Sequence, residues 1–257
     1  MIKGKKVLIT GATSGIGRLT AQKLIDCGAV PIVTGRNETK LKAVTESLTG
    51  RHASFVLDVT DDGQVTDAIA KIEAEVGAVD VLLNNAGFGK FESILEAPVS
   101  HYSEMMDTNY LGIVRCTKAV LPYFMKRGAG HIVNIASMAG KIGTPKSTGY
   151  TATKHAVLGF TNALRLELAG TGITVSAVNP GPIDTPFFDL ADPEGTYANN
   201  VRWFIMPPER VAKTIIRVIE RRTPEVDLPR RAAAGIKLYQ LFPRLSDRIM
   251  GKWLNQK

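Results

Sequence analysis

The sequence predicts an α/β protein with a doubly wound, mostly parallel sheet of seven strands and helices on both faces. Short runs rich in Val, Ile and Leu alternate with longer amphipathic stretches along the whole chain, which is typical of parallel sheets with helical crossovers. Several of these runs are almost continuously apolar, as expected of strands buried on both faces. The chain has 257 residues, 44% of them hydrophobic, which is enough for one well-packed domain spanning 1–257.

The predicted elements follow one another without a composition break. Strands are expected at 6–10, 31–34, 53–58, 79–84, 131–135 and 174–179, with a short seventh at 226–228. Helical periodicity covers 17–27, 38–48, 63–76, 103–127 and 149–169. Another helix begins in 207–212, where prolines are tolerated in a first turn, and runs to about Arg222. Right-handed crossovers then wind the sheet in both directions.

The cysteines and the N-terminus indicate a reducing compartment. Cys27 and Cys116 both lie in apolar-periodic stretches, so we expect two small buried side chains rather than a disulfide. The first residues lack the apolar run and cleavage site of a secretory signal. No stretch approaches the ~20 apolar residues of a membrane span. We therefore expect a soluble, cytoplasmic protein, and we expect no metal site.

The positive charge is concentrated at the C-terminus. Residues 217–257 hold ten Lys and Arg against four Asp and Glu, and so carry six of the net charge of +8. Apolar and basic residues recur at helical spacing over 230–257, where Pro243 should separate two helices. This C-terminal extension fits domain packing, a subunit interface, closure of a substrate pocket or peripheral contact with an anionic membrane. Nucleic-acid binding is not expected, because no recognition motif accompanies the charge.

A glycine-rich turn, Thr10-Gly-Ala-Thr-Ser-Gly-Ile-Gly17, follows the first strand. Ligands of doubly wound sheets bind outside the carboxyl ends of the strands. Glycines permit close approach of the backbone to a phosphate, and the N-terminus of the next helix favours an anion. The alternative is a plain turn. We predict a dinucleotide pyrophosphate site with contacts from Gly11, Thr13, Ser14, Gly15, Ile16 and Gly17.

The end of the second strand favours NADP(H) over NAD(H) as cofactor. NAD-preferring sites usually carry Asp or Glu about 20 residues after the glycines. Here Gly35 and Arg36 occupy this place. A guanidinium pairs with the 2′-phosphate that a carboxylate would repel. The alternative is that Arg36 is only a solvated loop residue.

The ends of the third and fourth strands complete the predicted cofactor site. Asp58 lies where the adenine should reach, and a turn-forming role before Thr60 is equally compatible with its position. Asn84 is expected to lock strand ends through side-chain hydrogen bonds rather than to bind ligand. Small residues after it let a cofactor lie close to the backbone. The predicted contacts here are Asp58, Val59, Asn85, Ala86 and Gly87.

Tyr150 and Lys154 are candidates for proton transfer. They are four residues apart on a predicted helix and so share one face. A phenol has a pKa of ~10, and a nearby ammonium is expected to lower it. Tyr150 would then donate a proton to a carbonyl oxygen in reduction, or accept one in oxidation. Ser137 follows the fifth strand, where its hydroxyl could hold the substrate oxygen.

In their order along the chain, these motifs resemble the short-chain dehydrogenase/reductase family in its short, single-domain form. The matching residues are Thr10–Gly17, Asp58, Asn84–Gly87, Asn109, Ser137, Tyr150, Lys154, Pro180, Gly181 and Thr185. The resemblance implies a Rossmann fold and a catalytic set of Ser137, Tyr150 and Lys154. It also implies a homodimer or homotetramer formed through the helices at 103–127 and 149–169.

The resemblance also assigns roles that the residues alone do not reveal. Asn109 belongs to a proton relay behind Lys154, and Lys154 also holds the nicotinamide ribose. Pro180 and Gly181 join the cofactor site, and Ile183 and Thr185 contact the nicotinamide carboxamide. Ser14 departs from some NADP-preferring members, which carry Lys or Arg there. The NADP(H) preference therefore depends on Arg36.

The irregular stretch at 181–208 is predicted to be a substrate lid, since long loops in compact domains are usually functional. Its aromatic and apolar side chains would suit an apolar carbonyl compound, although some could simply pack on the domain. They are Phe187, Phe188, Leu190, Tyr197, Trp203 and Phe204. Nearby acids do not favour an anionic substrate, unless they are only solvated; these are Asp184, Asp189, Asp192 and Glu194.

Together these features predict an NADP(H)-dependent oxidoreductase that moves a hydride between nicotinamide and a carbonyl or alcohol. Reduction of an apolar ketone, aldehyde or lipid-like substrate is the favoured direction. The alternative is an NADP(H)-responsive binding protein without catalysis. An epimerase or dehydratase is disfavoured, because little chain remains for a separate substrate lobe.

Overall fold

The computed structural model describes residues 2–195, 197, 199 and 201–241. Its strands are β1 (Lys6–Ile9), β2 (Val30–Gly35), β3 (Ala53–Val56), β4 (Val81–Asn84), β5 (Gly130–Ile135), β6 (Ile173–Pro180) and β7 (Glu225–Leu228). Its α-helices are α1 (Gly15–Asp26), α2 (Glu38–Ser47), α3 (Asp62–Glu75), α4 (Val99–Met106), α5 (Gly112–Arg127), α6 (Thr148–Glu167), α7 (Phe187–Ala191), α8 (Pro208–Arg221) and α9 (Arg230–Leu241). A π-helical turn spans Asp107–Leu111, and 3₁₀ turns span Met138–Gly140 and Arg202–Phe204.

All seven strands form one parallel sheet in the order β3-β2-β1-β4-β5-β6-β7. β1 is the point where the winding reverses, because it pairs with β2 on one side and β4 on the other. Val7, for example, pairs with Pro31 and with Val81. The carboxyl ends of β1 and β4 therefore meet where a doubly wound sheet binds its ligand. The predicted fold class is confirmed.

Each face of the sheet carries its own apolar core, because neighbouring residues of a strand point to opposite faces. Val7 and Ile9 of β1 pack with Leu24 of α1 and Ile215 of α8 on one face. Leu8, between them, joins the other core, whose helical side chains come from α3, α5 and α6 and include Ile69, Phe124 and Leu164. Both faces of the sheet are thus covered by helices. The carboxyl edge of the sheet is where a ligand can bind.

The helix predicted at 103–127 is instead three consecutive segments. α4 ends at Met106, the π turn follows, and α5 begins at Gly112. A π turn inserts extra backbone without interrupting the apolar pattern, so the sequence reads as one helix. Asn109 lies in this turn and is fully buried.

Cys27 is exposed, and the prediction that it is buried was wrong. α1 ends at Asp26, and Cys27 caps the helix at the surface rather than continuing its apolar face. Cys116 is buried as expected, and burial raises the pKa of its thiol to about 12. No disulfide joins the two.

The segment at 181–208 is more regular than its composition suggests. It contains the short helix α7, which starts directly after Pro186, and the 3₁₀ turn Arg202–Phe204. Both are too short for sequence periodicity to reveal them. An isolated parallel bridge joins Ile183 to Met206 and so brings the two ends of the segment together.

The first helix expected in the C-terminal extension is α9, which lies beside β7. Ile236 is buried, and Leu241 at the helix end is exposed. The second helix expected, beyond Pro243, lies outside the described residues. None of the helices in the described part of the chain combines the length and apolar character that crossing a bilayer requires.

Buried His131 predicts a loss of stability in acid. Its Nε2 lies 2.8 Å from Ser176 Oγ, and burial, with a contribution from Arg222, lowers its pKa to about 4. The unfolded chain, with a pKa near 6.5, binds the proton first, so stability falls as the pH drops through this interval. Relative to His131→Gln, the wild type should lose up to about 3 kcal/mol of unfolding free energy between pH 6.5 and 4.

Urea unfolding of both proteins at several pH values in this interval measures the difference. Parallel pH dependences for wild type and His131→Gln would contradict the prediction.

Candidate active site

The glycine-rich turn is shaped for close approach to a ligand. Gly11 and Gly15 have φ of +64° and +51°, a left-handed backbone conformation in which residues other than glycine are strained. A Cβ on Gly11 would lie 2.7 Å from Ala86 Cα, and one on Gly17 would lie 2.7 Å from the Gly11 carbonyl oxygen. Ser14 makes no side-chain cap at the start of α1. The first N–H groups of this helix therefore face the turn without a side-chain acceptor from the cap residue.

Hydrogen bonds lock the turn to the end of β4. The Asn85 side-chain amide donates to the carbonyl oxygens of Thr10 and Gly11, at 3.0 Å each. The Thr10 hydroxyl oxygen accepts from the backbone N–H groups of Asn85 (3.0 Å) and Ala86 (3.1 Å). Asn85 and Ala86 thus build the floor of the predicted cofactor site.

Asn84 has the structural role that the sequence favoured. Its Nδ2 donates to Asn134 Oδ1 at 2.9 Å, and Asn134 in turn donates to Thr161 Oγ1 of α6 at 2.9 Å. All three residues are buried. The pair joins β4 to β5 below the site.

Arg36 lies beside the glycine-rich turn. Ala12 N–H donates to the Thr34 carbonyl oxygen at 2.8 Å, so the end of β2 runs directly along the turn. Arg36 is exposed, and within the described residues no hydrogen bond or ion pair engages it. Its guanidinium is therefore available to a ligand at this end of the site.

Asp58 turns its carboxylate back onto its own loop. Oδ1 accepts from the Thr60 N–H (3.0 Å) and hydroxyl (2.7 Å), which is the turn-forming role noted in the sequence. Val59 is buried and packs against Gly112 at the start of α5. Contact of either residue with the adenine stays a prediction.

The start of the 181–208 segment lies across from the turn. Gly181 N–H donates to the Leu228 carbonyl oxygen at 2.7 Å, which fixes the chain as it leaves Pro180. Ile183 is buried. A Cβ on Gly15 would lie 3.6 Å from Thr185 Cβ, so Thr185 faces the glycine-rich turn directly. The two predicted walls of the cofactor site are therefore close together.

Ser137, Tyr150 and Lys154 converge at the carboxyl end of β5. The Ser137 hydroxyl donates to the Pro180 carbonyl oxygen at 3.2 Å and makes a hydrogen bond with the Tyr150 side chain. Lys154 Nζ donates to the Ile135 carbonyl oxygen at 2.9 Å and lies 5.6 Å from the centroid of the Tyr150 ring. The structure thus brings together the three residues that the sequence selected.

The pKa of Tyr150 is raised, not lowered as the sequence suggested. Burial is the main cause, and it outweighs the opposing effect of the Ser137 hydrogen bond. Burial also lowers the pKa of Lys154 to about 8, because this residue is only 5% exposed and its ammonium has no carboxylate partner in the described part of the chain. The Tyr150 hydroxyl therefore keeps its proton at neutral pH.

Asn109 lies close to Lys154 but bonds to other groups. Its side chain accepts from the Phe88 N–H (2.9 Å) and donates to the Phe88 carbonyl oxygen (2.8 Å) and to Thr153 Oγ1 (3.1 Å). A Cβ on Gly87 would lie 2.9 Å from Asn109 Oδ1 and 3.8 Å from Lys154 Nζ. The bare backbone of Gly87 thus separates the two side chains, and the relay role of Asn109 stays a prediction.

An aromatic cluster covers Tyr150, and part of it escaped the sequence reasoning. Its members are Phe91, Phe187, Phe188 and Tyr197. Phe91 and Phe187 have ring centroids 5.8 and 5.5 Å from that of Tyr150, and Phe91 lies 4.9 Å from Tyr197. Phe91 N–H donates to the Ala191 carbonyl oxygen at 2.8 Å. The sequence offers no signal for the position of Phe91 beyond its being an aromatic residue in the loop that follows the fourth strand.

Comparison with known proteins identifies the family. Residues 5–194 match the family model described as short chain dehydrogenase. The match includes the glycine-rich turn, Ser137, Tyr150 and Lys154. The chain belongs to the short-chain dehydrogenase family. It is accordingly an oxidoreductase of this family, and the resemblance noted in the sequence is confirmed.

Individual short-chain dehydrogenases extend the similarity. A 3-oxoacyl-(acyl-carrier-protein) reductase from Vibrio harveyi is 38% identical over 184 residues, covering 72% of this chain and 75% of the relative. The actinorhodin polyketide ketoreductase solved with NADPH has a TM-score of 0.78 at 33% identity, covering 88% of this chain and 95% of that one. A 3-ketoacyl-(acyl-carrier-protein) reductase from Brucella melitensis solved with NADH has a TM-score of 0.82 at 26% identity, covering 89% and 98%.

In this short-chain dehydrogenase, a side chain at Gly11 should separate the two strand ends. Gly128 is the matched control, because its φ is +61° and a Cβ there would meet nothing within 4 Å. Gly128→Ala should cost only the backbone strain, about 1 kcal/mol. Gly11→Ala should cost more and should also weaken binding of a nicotinamide nucleotide, since Ala86 must move.

Urea unfolding and calorimetric titration of both variants test this expectation. Equal losses of stability with unchanged nucleotide affinity would contradict it.

Proposed function

We propose that this protein is an NADP(H)-dependent carbonyl reductase, or alcohol dehydrogenase in reverse, that uses Tyr150 as general acid and base. The observation that carries the proposal is the convergence of Ser137, Tyr150 and Lys154 beside the glycine-rich turn. Relatives solved with NADPH and with NADH support a nicotinamide cofactor.

The residues present fit such a cofactor. The cradle of Gly11, Gly15 and Gly17 has no room for added side chains on Gly11 and Gly17, and it would hold the pyrophosphate. Arg36 would pair with a 2′-phosphate, and Asp58 and Val59 would flank the adenine. Lys154 would hold the nicotinamide ribose near Asn85–Gly87, with Pro180, Gly181, Ile183 and Thr185 at the nicotinamide. The bound nicotinamide supplies or accepts the hydride.

The protonated state of the Tyr150 hydroxyl suits reduction. A protonated phenol can donate to a carbonyl oxygen that develops negative charge. Ser137 is placed beside the same hydroxyl and would hold the substrate oxygen with its own. The Lys154 ammonium, close to the Tyr150 ring, favours the phenolate that the donation leaves behind.

The aromatic cluster supports an apolar substrate. Rings from two segments, the loop after β4 and the 181–208 lid, meet directly over Tyr150. Aromatic walls of this kind bind apolar groups and leave orientation to a few polar atoms. We therefore propose ketones, aldehydes or lipid-like carbonyl compounds as substrates, with the lid closing over them.

The homo-oligomer and the peripheral membrane contact expected from the sequence remain proposals. A homodimer or homotetramer would cover apolar side chains that α5, α6 and the π turn leave exposed, namely Leu111, Met125 and Leu166. Peripheral membrane contact through the basic C-terminal extension concerns residues that mostly lie beyond Leu241, the last described residue.

Tyr150→Phe should lose most turnover. Removing a general acid lowers the rate by roughly 10²- to 10⁴-fold, while NADPH affinity should change little. Tyr123→Phe is the control, since Tyr123 lies on α5, packs against the core of α3, α5 and α6, and would lose the same hydroxyl group. The assay follows NADPH oxidation with a panel of hydrophobic ketones and aldehydes.

Full activity in Tyr150→Phe would overturn the assignment of Tyr150. Cofactor binding by the wild type without turnover of any compound would favour the alternative, a binding protein responsive to NADP(H).

Arg36→Ala should remove the preference for NADPH over NADH. Losing a charge-assisted pair with the 2′-phosphate should weaken NADPH binding by roughly 10- to 100-fold and leave NADH binding unchanged. Calorimetric titration with both nucleotides measures this, with exposed Arg51→Ala as control. A wild type that binds both equally, or a variant with unchanged NADPH affinity, would make Arg36 a solvated surface residue.

A further inference from the structure

A charged cluster ties the turn after Ser137 to the edge of the sheet. Lys141 Nζ pairs with Asp227 Oδ1 at 2.6 Å and also with Glu225 Oε1. Asn179 Nδ2 donates to the same two carboxylates, at 2.7 Å to Asp227 and 2.9 Å to Glu225. The proposed function uses none of these four residues, and sequence reasoning did not find them.

This cluster is largely withdrawn from solvent. Asn179 is fully buried, and the side chains of Lys141 and Asp227 are 16% and 14% exposed. Burial acts against the Lys141 ammonium, but the hydrogen bonds to Asp227 and Glu225 outweigh it and raise its pKa. Paired charges held by further hydrogen bonds have a defined geometry, unlike exposed pairs, which contribute little.

The cluster brackets Ser137 from two sides. Ser137 caps the 3₁₀ turn Met138–Gly140, and Lys141 is the residue that ends this turn. The Ser137 hydroxyl donates to Pro180, which directly follows Asn179 in β6. Asn179 and Asp227 are register partners across β6 and β7. The two ends of the Ser137 turn are therefore held on neighbouring strands, Ser137 on β6 and Lys141 on β7.

The C-terminal extension reaches the same point. Gln240 Nε2 of α9 donates to the Lys141 carbonyl oxygen at 3.4 Å. α9 thus contacts the cluster through Lys141, the residue that supplies the positive charge of the cluster.

We propose that Lys141, Asp227, Glu225 and Asn179 form a positioning network that holds the Ser137 hydroxyl in register with Tyr150. The proposal rests on the function proposed above. A serine on a loop after a strand needs such support, because reacting groups must be held within a fraction of an ångström. Lys141 acts through Ser137 and has no role in proton transfer.

A double-mutant cycle with Lys141→Met and Ser137→Ala tests the network. Lys141→Met should lower kcat by roughly 10- to 100-fold, the effect of a small misplacement, with little change in KM or NADPH affinity. In the Ser137→Ala background the same substitution should change kcat less than about twofold, because coupled residues are not additive. Lys141→Arg should restore part of kcat. Lys71→Met is the control, since the Lys71–Glu75 pair on α3 is exposed.

The outcomes separate this proposal from the proposed function. Full activity of Ser137→Ala would overturn the network, because Ser137 would have no role to support, whereas a wild type that turns over no carbonyl compound would overturn the proposed function. If Ser137→Ala is impaired, and Lys141→Met lowers its kcat by the same factor as it lowers that of the wild type, the network is overturned. The proposed function is then left intact. If Lys141→Met does not fold, the near-isosteric Asp227→Asn and Glu225→Gln take its place in the cycle, with urea unfolding recorded for each.

Discussion

The active site depends on backbone contact between the ends of β1 and β4. Glycine at position 11 allows the chain after β1 to touch Ala86, and the Asn85 amide then bridges two carbonyl oxygens of the turn. This contact exists only because the winding of the sheet reverses at β1. The floor of the cofactor site, the direction of α1 and the approach of Gly87 to Lys154 all follow from it.

Much of the fold could be predicted from the sequence, for local reasons. Parallel strands buried on both faces are runs of apolar residues, and each run ends where the chain reaches the surface. The predicted strand bounds therefore agree with those of the structure to within one or two residues. The glycine-rich turn and the four-residue spacing of Tyr150 and Lys154 are also local patterns. The π turn at Asp107–Leu111 was missed because it does not disturb the apolar pattern around it.

What the sequence could not supply are contacts between distant segments. Phe91 reaches Tyr150 because the loop after β4 pairs with the end of α7, 100 positions along the chain. Lys141 reaches Asp227 because β7 completes the edge of the sheet. Neither partner leaves a periodic signal, and each becomes visible only when the strand order is known.

Tyr150 shows why spacing alone did not give the sign of a pKa shift. A spacing of four residues places a cation near a phenol, and this effect taken alone lowers the pKa. It says nothing of how much water the fold removes. In the structure, burial dominates the pKa of both Tyr150 and Lys154. The acid–base state of the pair is thus a property of the packed site, set by the aromatic rings and strand ends around it.

The aromatic cluster over Tyr150 is built outside the sheet, and this has an evolutionary consequence. Phe91 belongs to a loop, and Phe187 and Phe188 to a helix of five residues; none of these three rings belongs to the two cores. Mutations in these rings can therefore accumulate without disturbing the strands that hold the catalytic side chains. Such a layout lets descendants of one gene diverge in what they recognise while they inherit the same chemistry.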